Sequence, residues 1–139
     1  MPFRLVVPRD LYDGMVAQAL SEQPNECCGF LAGVLERGVA RVLRRFPLVN
    51  EAASPVEYHV EGRSLCAAHR EIRESNLQEL AIYHSHPTSW PVPSRRDLER
   101  NYWPGVVSLI ISLVDETPLV RGWWLGETDY READWMIQD

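Results

Sequence analysis

The sequence contains no lysine, and all 14 of its basic residues are arginines. Without a lysine the chain cannot form a Schiff base with a carbonyl substrate or build a phosphate-binding P-loop. Acidic residues number 20 and give a formal net charge of −6 at pH 7. An acidic chain without a basic stripe is not expected to bind nucleic acid, because contacts to phosphates require clustered positive charge.

Cysteines are few, and long apolar runs are missing. The cysteines are Cys27, Cys28 and Cys66, an odd number with two adjacent members, which fits neither a disulfide framework nor a CxxC zinc pattern. The longest apolar run, residues 106–114, is interrupted by two serines and is much shorter than the roughly 18 residues of a membrane span. The first residues also lack the apolar segment of a signal peptide. We therefore expect a reduced, cytoplasmic protein that does not associate with a membrane.

Apolar residues at the spacing of an amphipathic helix occur in residues 10–20 and 64–76. Asp10 and Ser64 can accept hydrogen bonds from the first turn of a helix, so we predict that they cap these two segments. A third, short helix is expected to begin at Ser94, after a loop that contains three prolines.

Apolar runs typical of strands separate these helices. They cover residues 28–35, 39–48, 56–60, 80–86, 106–114 and 119–125. Because strands and helices alternate closely within 139 residues, we expect one α/β or α+β domain over residues 1–139, with a central sheet and helices on its faces. The segment after residue 126 has no clear pattern and receives no assignment.

The chemically informative segment is residues 84–97, where two histidines are followed by a serine and an aspartate. Side chains alternate between the faces of a strand, so His84 and His86 are expected on one face together with Leu80 and Ile82, directed at the core. Two imidazoles on one face can converge on a single metal ion, because Zn–N bonds are about 2.0–2.1 Å long.

Ser94 and Asp97 lie three residues apart at the predicted start of a helix and therefore share a helix face. If the proline-containing loop folds this helix back over the strand end, Asp97 supplies a third, anionic ligand. Two histidines and one carboxylate leave the fourth tetrahedral position for water, which is typical of catalytic zinc. The same Ser-x-x-Asp spacing is also that of a helix capping box, and the two roles are compatible.

Hydrolysis by an activated water also requires a base that lies near the metal without binding it. Glu26 is the best candidate, because it lies just before the apolar run that begins at Cys28 and therefore at an edge of the predicted sheet. Spacing alone does not bring Glu26 next to the histidines.

These residues match a known motif position for position. The pattern E…H-[ST]-H-x7-S-x2-D resembles the JAMM motif of MPN/JAB-type metalloproteases. Its five places are filled by Glu26, His84, His86, Ser94 and Asp97. Residues 24–31 also resemble the glutamate region of the small stand-alone prokaryotic members, and the resemblance covers roughly residues 3–126.

The resemblance implies a curved mixed sheet flanked by helices, the JAB/MPN fold, which is similar to that of cytidine deaminases. It implies that His84, His86 and Asp97 bind one Zn²⁺, with a water as the fourth ligand. Glu26 would act as general base and then as general acid. Ser94 would donate a hydrogen bond to the tetrahedral oxyanion or to the water. The implied activity is that of a zinc metallopeptidase that hydrolyses a peptide or isopeptide bond.

The resemblance also implies a protein substrate. Small prokaryotic members act on ubiquitin-like sulfur-carrier proteins whose C-terminal Gly-Gly tail is joined to an amino acid or to another segment. An extended glycine tail suits a narrow cleft and can pair with a strand edge. Deubiquitinating members of higher organisms grip ubiquitin with two insertions, for which 139 residues leave little room. We therefore expect a carrier protein as substrate; the sequence does not indicate an oligomeric state.

Three other functions are compatible with parts of the sequence. A non-catalytic MPN-fold interaction module would have the fold without using the ligands. A zinc deaminase has a similar fold, but the sequence contains neither of its His-x-Glu and Pro-Cys-x-x-Cys signatures. A Cys–His peptidase would use Cys28 as its nucleophile, although a cysteine that enters an apolar strand is more often a small core residue.

Overall fold

An eight-stranded mixed sheet forms the centre of the structure, a computed structural model that describes residues 2–139. The helices are α1 (Arg9–Glu22), α2 (Gly62–Glu74) and α3 (Arg95–Glu99). The strands are β1 (Arg4–Pro8), β2 (Cys28–Glu36), β3 (Val39–Leu48), β4 (Gln78–His86), β5 (Val107–Ser112), β6 (Leu119–Leu125), β7 (Tyr130–Glu132) and β8 (Trp135–Gln138).

The strands follow the order β7-β6-β5-β4-β2-β3-β1-β8 across the sheet. β2 pairs antiparallel with both β3 and β4, whereas β4 and β5 are parallel. β1 runs parallel to both β3 and β8. This mixed sheet with helices confirms the α+β class expected from the order of apolar segments.

The sheet curls so that its two edges approach each other at the C-terminal segment. Ala133 N donates a hydrogen bond to Gly122 O in β6 at 2.8 Å. The next residue, Asp134, accepts one at 3.0 Å from the backbone N of Leu5 in β1. The segment to which the sequence assigns no element therefore contains β7 and β8 and connects opposite sides of the sheet.

The two long helices cover opposite faces of the sheet. Met15 and Ala19 of α1 are buried in a cluster with residues of β1 and β5. Ala68 and Ile72 of α2 are buried in a second cluster with Phe30 of β2. Each helix buries a stripe of residues at three- to four-residue spacing, as an amphipathic helix requires. Within residues 2–139 the structure contains no helix with the length and apolarity needed to cross a bilayer.

The helices begin differently from the prediction. Asp10 lies inside the first turn of α1, which follows Pro8 and has no side-chain cap. Its charge still favours the helix, because the helix dipole is positive at this end. α2 begins after Glu61, whose carboxylate accepts a hydrogen bond from Ser64 N at 2.6 Å. Ser64 therefore belongs to the helix, and both predicted caps are wrong.

The strand predicted over residues 56–60 is also wrong. This segment is irregular, and its only β-type contact within the described chain is an isolated bridge between Asn50 and Val60. Tyr58 lies in its middle, with its ring stacked on the imidazole of His84 at a centroid distance of 4.8 Å. The apolar residues of this segment thus pack over the strand end instead of pairing along a sheet.

Leu80 does not share the face of Ile82. The pairing of β2 with β4 shifts between Leu31 and Ala32, which leaves Leu80 as an extra residue in β4. Such a bulge interrupts the alternation of side chains. Leu80 therefore packs with the α1-facing cluster, whereas Ile82 belongs to the α2-facing one.

Candidate active site

The pairing of β2 with β4 determines where Glu26 lies. Cys28 is opposite His84 in this antiparallel pair, and two further residues in the same register bring Glu26 level with His86. Ser85 holds this end of the pair, because its hydroxyl accepts a hydrogen bond from Cys27 N at 2.8 Å and its backbone N donates to Cys27 O at 3.2 Å. The register therefore provides the proximity that spacing alone does not predict.

His84, His86 and Asp97 bring their ligand atoms together at the end of β4. His84 Nε2 and His86 Nε2 are 3.2 Å apart. Asp97 places Oδ1 at 3.1 Å from the first nitrogen and Oδ2 at 3.2 Å from the second. All three residues can offer one ligand atom within 4.8 Å of the others, and the two imidazoles are almost fully buried.

These distances fit a zinc ion. Ligand atoms at the corners of a tetrahedron with bonds of about 2.0–2.1 Å are about 3.3 Å apart. His86 also has the hydrogen bond expected of a metal ligand, because its Nδ1 donates to Trp90 O at 2.9 Å and leaves Nε2 to face the cluster. Two basic nitrogens and a carboxylate that converge in this way form a donor set that zinc prefers.

A capping box at the start of α3 orients the Asp97 carboxylate. Ser94 Oγ accepts a hydrogen bond from Asp97 N at 3.1 Å, and Asp97 Oδ2 accepts one from Ser94 N at 2.8 Å. The predicted cap at Ser94 is therefore confirmed, and the same carboxylate contacts both histidines. Because the box fixes the Asp97 side chain, its oxygens face the histidines rather than solvent.

Glu26 lies next to this group but is not part of it. Its side chain is buried, and Glu26 Oε1 and His84 Nδ1 are the buried side-chain polar atoms without a hydrogen-bond partner in the described chain. An unpaired buried carboxylate oxygen is costly, so it suits a site that receives a polar molecule. Glu26, His86 and Ser94 all contribute to the wall of one open cleft, in which the other lining residues are Pro55, Val56, Thr88, Ser89, Arg95 and Arg96.

The surroundings of the two carboxyl groups of the site shift their pKa values in opposite directions. Burial raises the pKa of Glu26 to about 7, although His84 and His86 partly oppose this. Burial also disfavours ionised Asp97, but the charge of His84 and hydrogen bonds from both histidines and Ser94 N hold its pKa well below the usual range. Burial disfavours protonated His84 as well, and Asp97 outweighs burial and raises the pKa of that imidazole. One carboxyl is thus a permanent anion, while the other can exchange a proton near neutral pH.

Two residues that the sequence reasoning missed arrange the wall of the site. Asn50 donates hydrogen bonds to Glu26 O at 2.9 Å and to Glu57 O at 3.1 Å, and so connects the backbone at Glu26 with the segment that contains Glu57. Tyr58 of that segment covers His84. The only sequence signal for Tyr58 is an aromatic residue in an apolar run, which resembles a strand, and Asn50 gives no signal at all.

Cys28 lies near the site but is not arranged as a nucleophile. Its side chain is fully buried, and burial raises the pKa of the thiol far above neutrality. Cysteine reacts as the thiolate, so this environment does not support a Cys–His peptidase.

Comparison with known proteins gives a consistent result. A family described as "Prokaryotic homologs of the JAB domain" matches residues 8–126. The chain is 34% identical over 140 aligned positions to a desampylase of Haloferax volcanii, with 97% of each chain covered. It is 32% identical over 111 positions to a CysO-cysteine peptidase of Mycobacterium tuberculosis, with 80% of this chain and 75% of the relative covered.

The fold agrees with a solved structure as well. A protein of Desulfitobacterium hafniense, determined in solution, superposes with a TM-score of 0.88 at 26% identity. The superposition covers 97% of this chain and 93% of the other. The similarity therefore includes the whole sheet as well as the cleft.

Proposed function

The chain belongs to the family of prokaryotic homologues of the JAB domain, and from this we propose that it is a zinc-dependent peptidase acting on conjugates of a ubiquitin-like carrier protein. The observation that carries the proposal is the convergence of His84, His86 and Asp97 beside a buried carboxyl group, Glu26, in one cleft. A scaffold protein would have no need for the unpaired, proton-exchanging carboxyl. The enzyme is a hydrolase, and water is its second substrate.

We assign the metal-holding role to His84, His86 and Asp97. A zinc ion held there would supply a Lewis acid that polarises the scissile carbonyl and makes water a better nucleophile. The chain's own contribution is to present two imidazoles, which bind a metal ion in their neutral form, and one carboxylate. The capping box fixes Asp97, and the Trp90 carbonyl fixes the ring of His86.

Glu26 is the proposed general base and general acid. Its carboxylate takes a proton from the attacking water and then gives it to the leaving amine, so that the carbonyl carbon gains a hydroxyl as the C–N bond breaks. A pKa near neutrality suits both steps, and burial is what raises the Glu26 pKa. No covalent bond between the protein and the substrate is required.

Ser94 is the proposed hydrogen-bond donor to the oxyanion. In the described chain its Oγ accepts a hydrogen bond from Asp97 N, and its hydroxyl proton can point into the cleft that Ser94 lines. A hydroxyl held by a capping box is already oriented before the substrate arrives. Donors of this kind contribute about 3–4 kcal/mol to transition-state stabilisation in other hydrolases.

The proposed substrate is the C-terminal Gly-Gly tail of a ubiquitin-like sulfur-carrier protein, joined to an amino acid or to another protein. The relatives support this class, because one is a desampylase and another is a CysO-cysteine peptidase. Glycines lack side chains, so an extended Gly-Gly tail can reach His84 and His86 although their imidazoles are almost fully buried. The free cysteines fit a reducing compartment, and we propose the cytoplasm as the location.

The decisive experiment measures zinc content and cleavage in parallel. Zinc-loaded wild type, Glu26→Gln and Glu127→Gln are incubated with a small carrier protein whose Gly-Gly end is joined to cysteine, and release is followed by mass spectrometry. We expect stoichiometric zinc in all three proteins. Glu26→Gln should lose at least a hundredfold in rate, because general acid–base catalysis contributes about 10²–10⁴-fold.

Glu127→Gln is the matched control, since this surface change removes a carboxylate outside the cleft and should leave the rate unchanged. Wild-type activity in Glu26→Gln would reject the assignment of the base. A wild type that binds zinc but cleaves no carrier conjugate would reject the substrate class.

A further inference from the structure

Three consecutive carbonyls of the loop between β4 and α3 each accept a hydrogen bond from a buried side chain. The bonds are Ser112 Oγ to Ser89 O at 2.5 Å, His86 Nδ1 to Trp90 O at 2.9 Å and Trp123 Nε1 to Pro91 O at 2.9 Å. The donors lie on β5, β4 and β6, which are adjacent strands. A loop outside any helix or strand is thus held along its backbone by side chains of three adjacent strands.

From this arrangement we infer that Ser112 and Trp123 are positioning residues for the metal centre. They fix the carbonyls on either side of Trp90 O, and Trp90 O in turn orients His86. The inference deepens the proposed function and rests on it, because it concerns how the chain prepares a zinc ligand. Neither Ser112 nor Trp123 is one of the five residues of the JAMM-like motif.

On its Nδ1 side, the His86 ring is held by a single carbonyl, Trp90 O. A neutral imidazole has one N–H and one lone pair, and a hydrogen bond from Nδ1–H to a carbonyl selects the tautomer with the lone pair on Nε2. In His86 that nitrogen is 3.2 Å from His84 Nε2 and 3.2 Å from Asp97 Oδ2. A shift of Trp90 O would rotate the ring or exchange the tautomer, and either change would turn the lone pair away from the cluster.

Few backbone hydrogen bonds hold the loop: Val92 N donates to Trp90 O at 2.8 Å within the loop itself, and the three prolines are buried. Three of its residues are prolines, which have no backbone N–H to donate. The indole of Trp90 is 58% exposed, so its own side chain does not anchor the backbone. The hydroxyl of Ser112 and the indole N–H of Trp123 therefore donate to loop carbonyls that, in a sheet, would accept hydrogen bonds from the backbone of a neighbouring strand.

The test compares zinc affinity in variants that remove one donor each. Trp123→Phe keeps an aromatic ring and removes the N–H, and Ser112→Ala removes only the hydroxyl. Trp124→Phe and Ser108→Ala are matched controls, because they make the same changes on β6 and β5, and neither side chain is hydrogen-bonded to this loop. Affinity is measured by competition with a zinc-binding dye, on samples whose far-ultraviolet circular dichroism matches that of wild type.

We expect zinc affinity to fall about tenfold in Trp123→Phe and in Ser112→Ala, since hydrogen-bond partners behind metal ligands typically contribute 10–100-fold. The two controls should stay within about twofold of wild type. A second readout uses the metal-free proteins, in which ¹⁵N chemical shifts of the His86 ring report the tautomer. Wild type should show a proton on Nδ1, and the two donor variants should show a mixture of proton positions.

Folded donor variants with wild-type zinc affinity and a wild-type His86 tautomer would overturn the inference. If Trp123→Phe fails to fold, Ser112→Ala alone tests the inference, because this substitution removes only one oxygen atom and leaves the surrounding packing in place. A wild-type protein that does not bind zinc would instead reject the proposed function, so the two failures are distinguishable.

Discussion

In the metal-free fold Glu26 holds its proton more tightly than an ordinary carboxyl group does, and this has a consequence for stability. Burial is the main reason that its pKa rises from an ordinary value of 4.5 to about 7. The folded protein therefore binds this proton more tightly than the unfolded chain does. The contribution of Glu26 to the free energy of unfolding is fully present below about pH 4.5 and is lost as the pH rises through 7.

Glu26→Gln should therefore stabilise the metal-free protein at alkaline pH. Relative to wild type, we expect the free energy of unfolding of Glu26→Gln to rise by about 3 kcal/mol between pH 4.5 and pH 8. The measurement is urea unfolding in the presence of a chelator. Glu127→Gln should follow wild type at both pH values. A constant difference between Glu26→Gln and wild type would contradict the raised pKa.

The cysteines differ sharply in accessibility. Cys27 and Cys28 are fully buried, and burial raises the pKa of Cys27 to about 12 and that of Cys28 further. Cys66 is exposed on α2. Iodoacetamide at pH 7.5 should therefore modify one cysteine in the native protein and three after denaturation, as counted by mass spectrometry. A Cys66→Ser variant should remain unmodified until it is unfolded; rapid native labelling of it would show that the thiols at residues 27 and 28 are open to solvent.

The convergence of the two histidines and the aspartate is predictable because its signal is local. His84, His86 and Asp97 lie within 14 consecutive residues, and the alternation of a strand followed by one helical turn is enough to bring them together. The proximity of Glu26 to this cluster could be predicted only from the family resemblance, because the position of Glu26 depends on the register between β2 and β4. Asn50 and Tyr58 could not be found, since their roles arise only when an irregular segment folds across the strand end.

At the level of secondary structure, the C-terminal strands close the sheet. β8 pairs with β1 and β7 pairs with β6, so the last residues connect the two sides of the curl. Trp135 of β8 packs against the ring of Tyr12 in α1 at a centroid distance of 6.2 Å and also contacts the α1-facing cluster. The matched family region ends at residue 126, before either strand.

Trp135→Ala should therefore destabilise the protein by about 2 kcal/mol, because it removes a large, half-buried side chain from the closure of the sheet. Met136→Ala is the control on the same strand, since that side chain is 44% exposed. Its cost should be below about 0.5 kcal/mol. Both values come from urea unfolding, and equal effects of the two substitutions would show that β8 contributes little to the core.

The strands that the sequence could predict are the long ones. β2, β3, β4, β5 and β6 contain six to ten residues each, so their apolar runs are long enough to be recognised. β1, β7 and β8 contain three to five residues each, and their conformation comes from the partner strand. Residues 56–60 show the opposite case. Their apolar side chains predict a strand, but the segment packs over the end of β4 and does not pair into the sheet.

For the whole molecule, zinc binding should be visible as stability. A ligand that binds only the folded state adds about 2.7 kcal/mol at 100 times its dissociation constant. For a chain of this size that corresponds to a rise in melting temperature of roughly 5–10 °C. Differential scanning fluorimetry with and without zinc measures it. Asp97→Asn should show a much smaller rise, and an equal rise would place the bound ion elsewhere.

The capping box and the sheet-anchored loop have a practical consequence for how the protein is made and used. Both consist of bonds within the chain, so holding these side chains in place does not require an ion. We therefore expect a bound ion to be removable by a chelator and replaceable by another divalent ion without unfolding of the polypeptide.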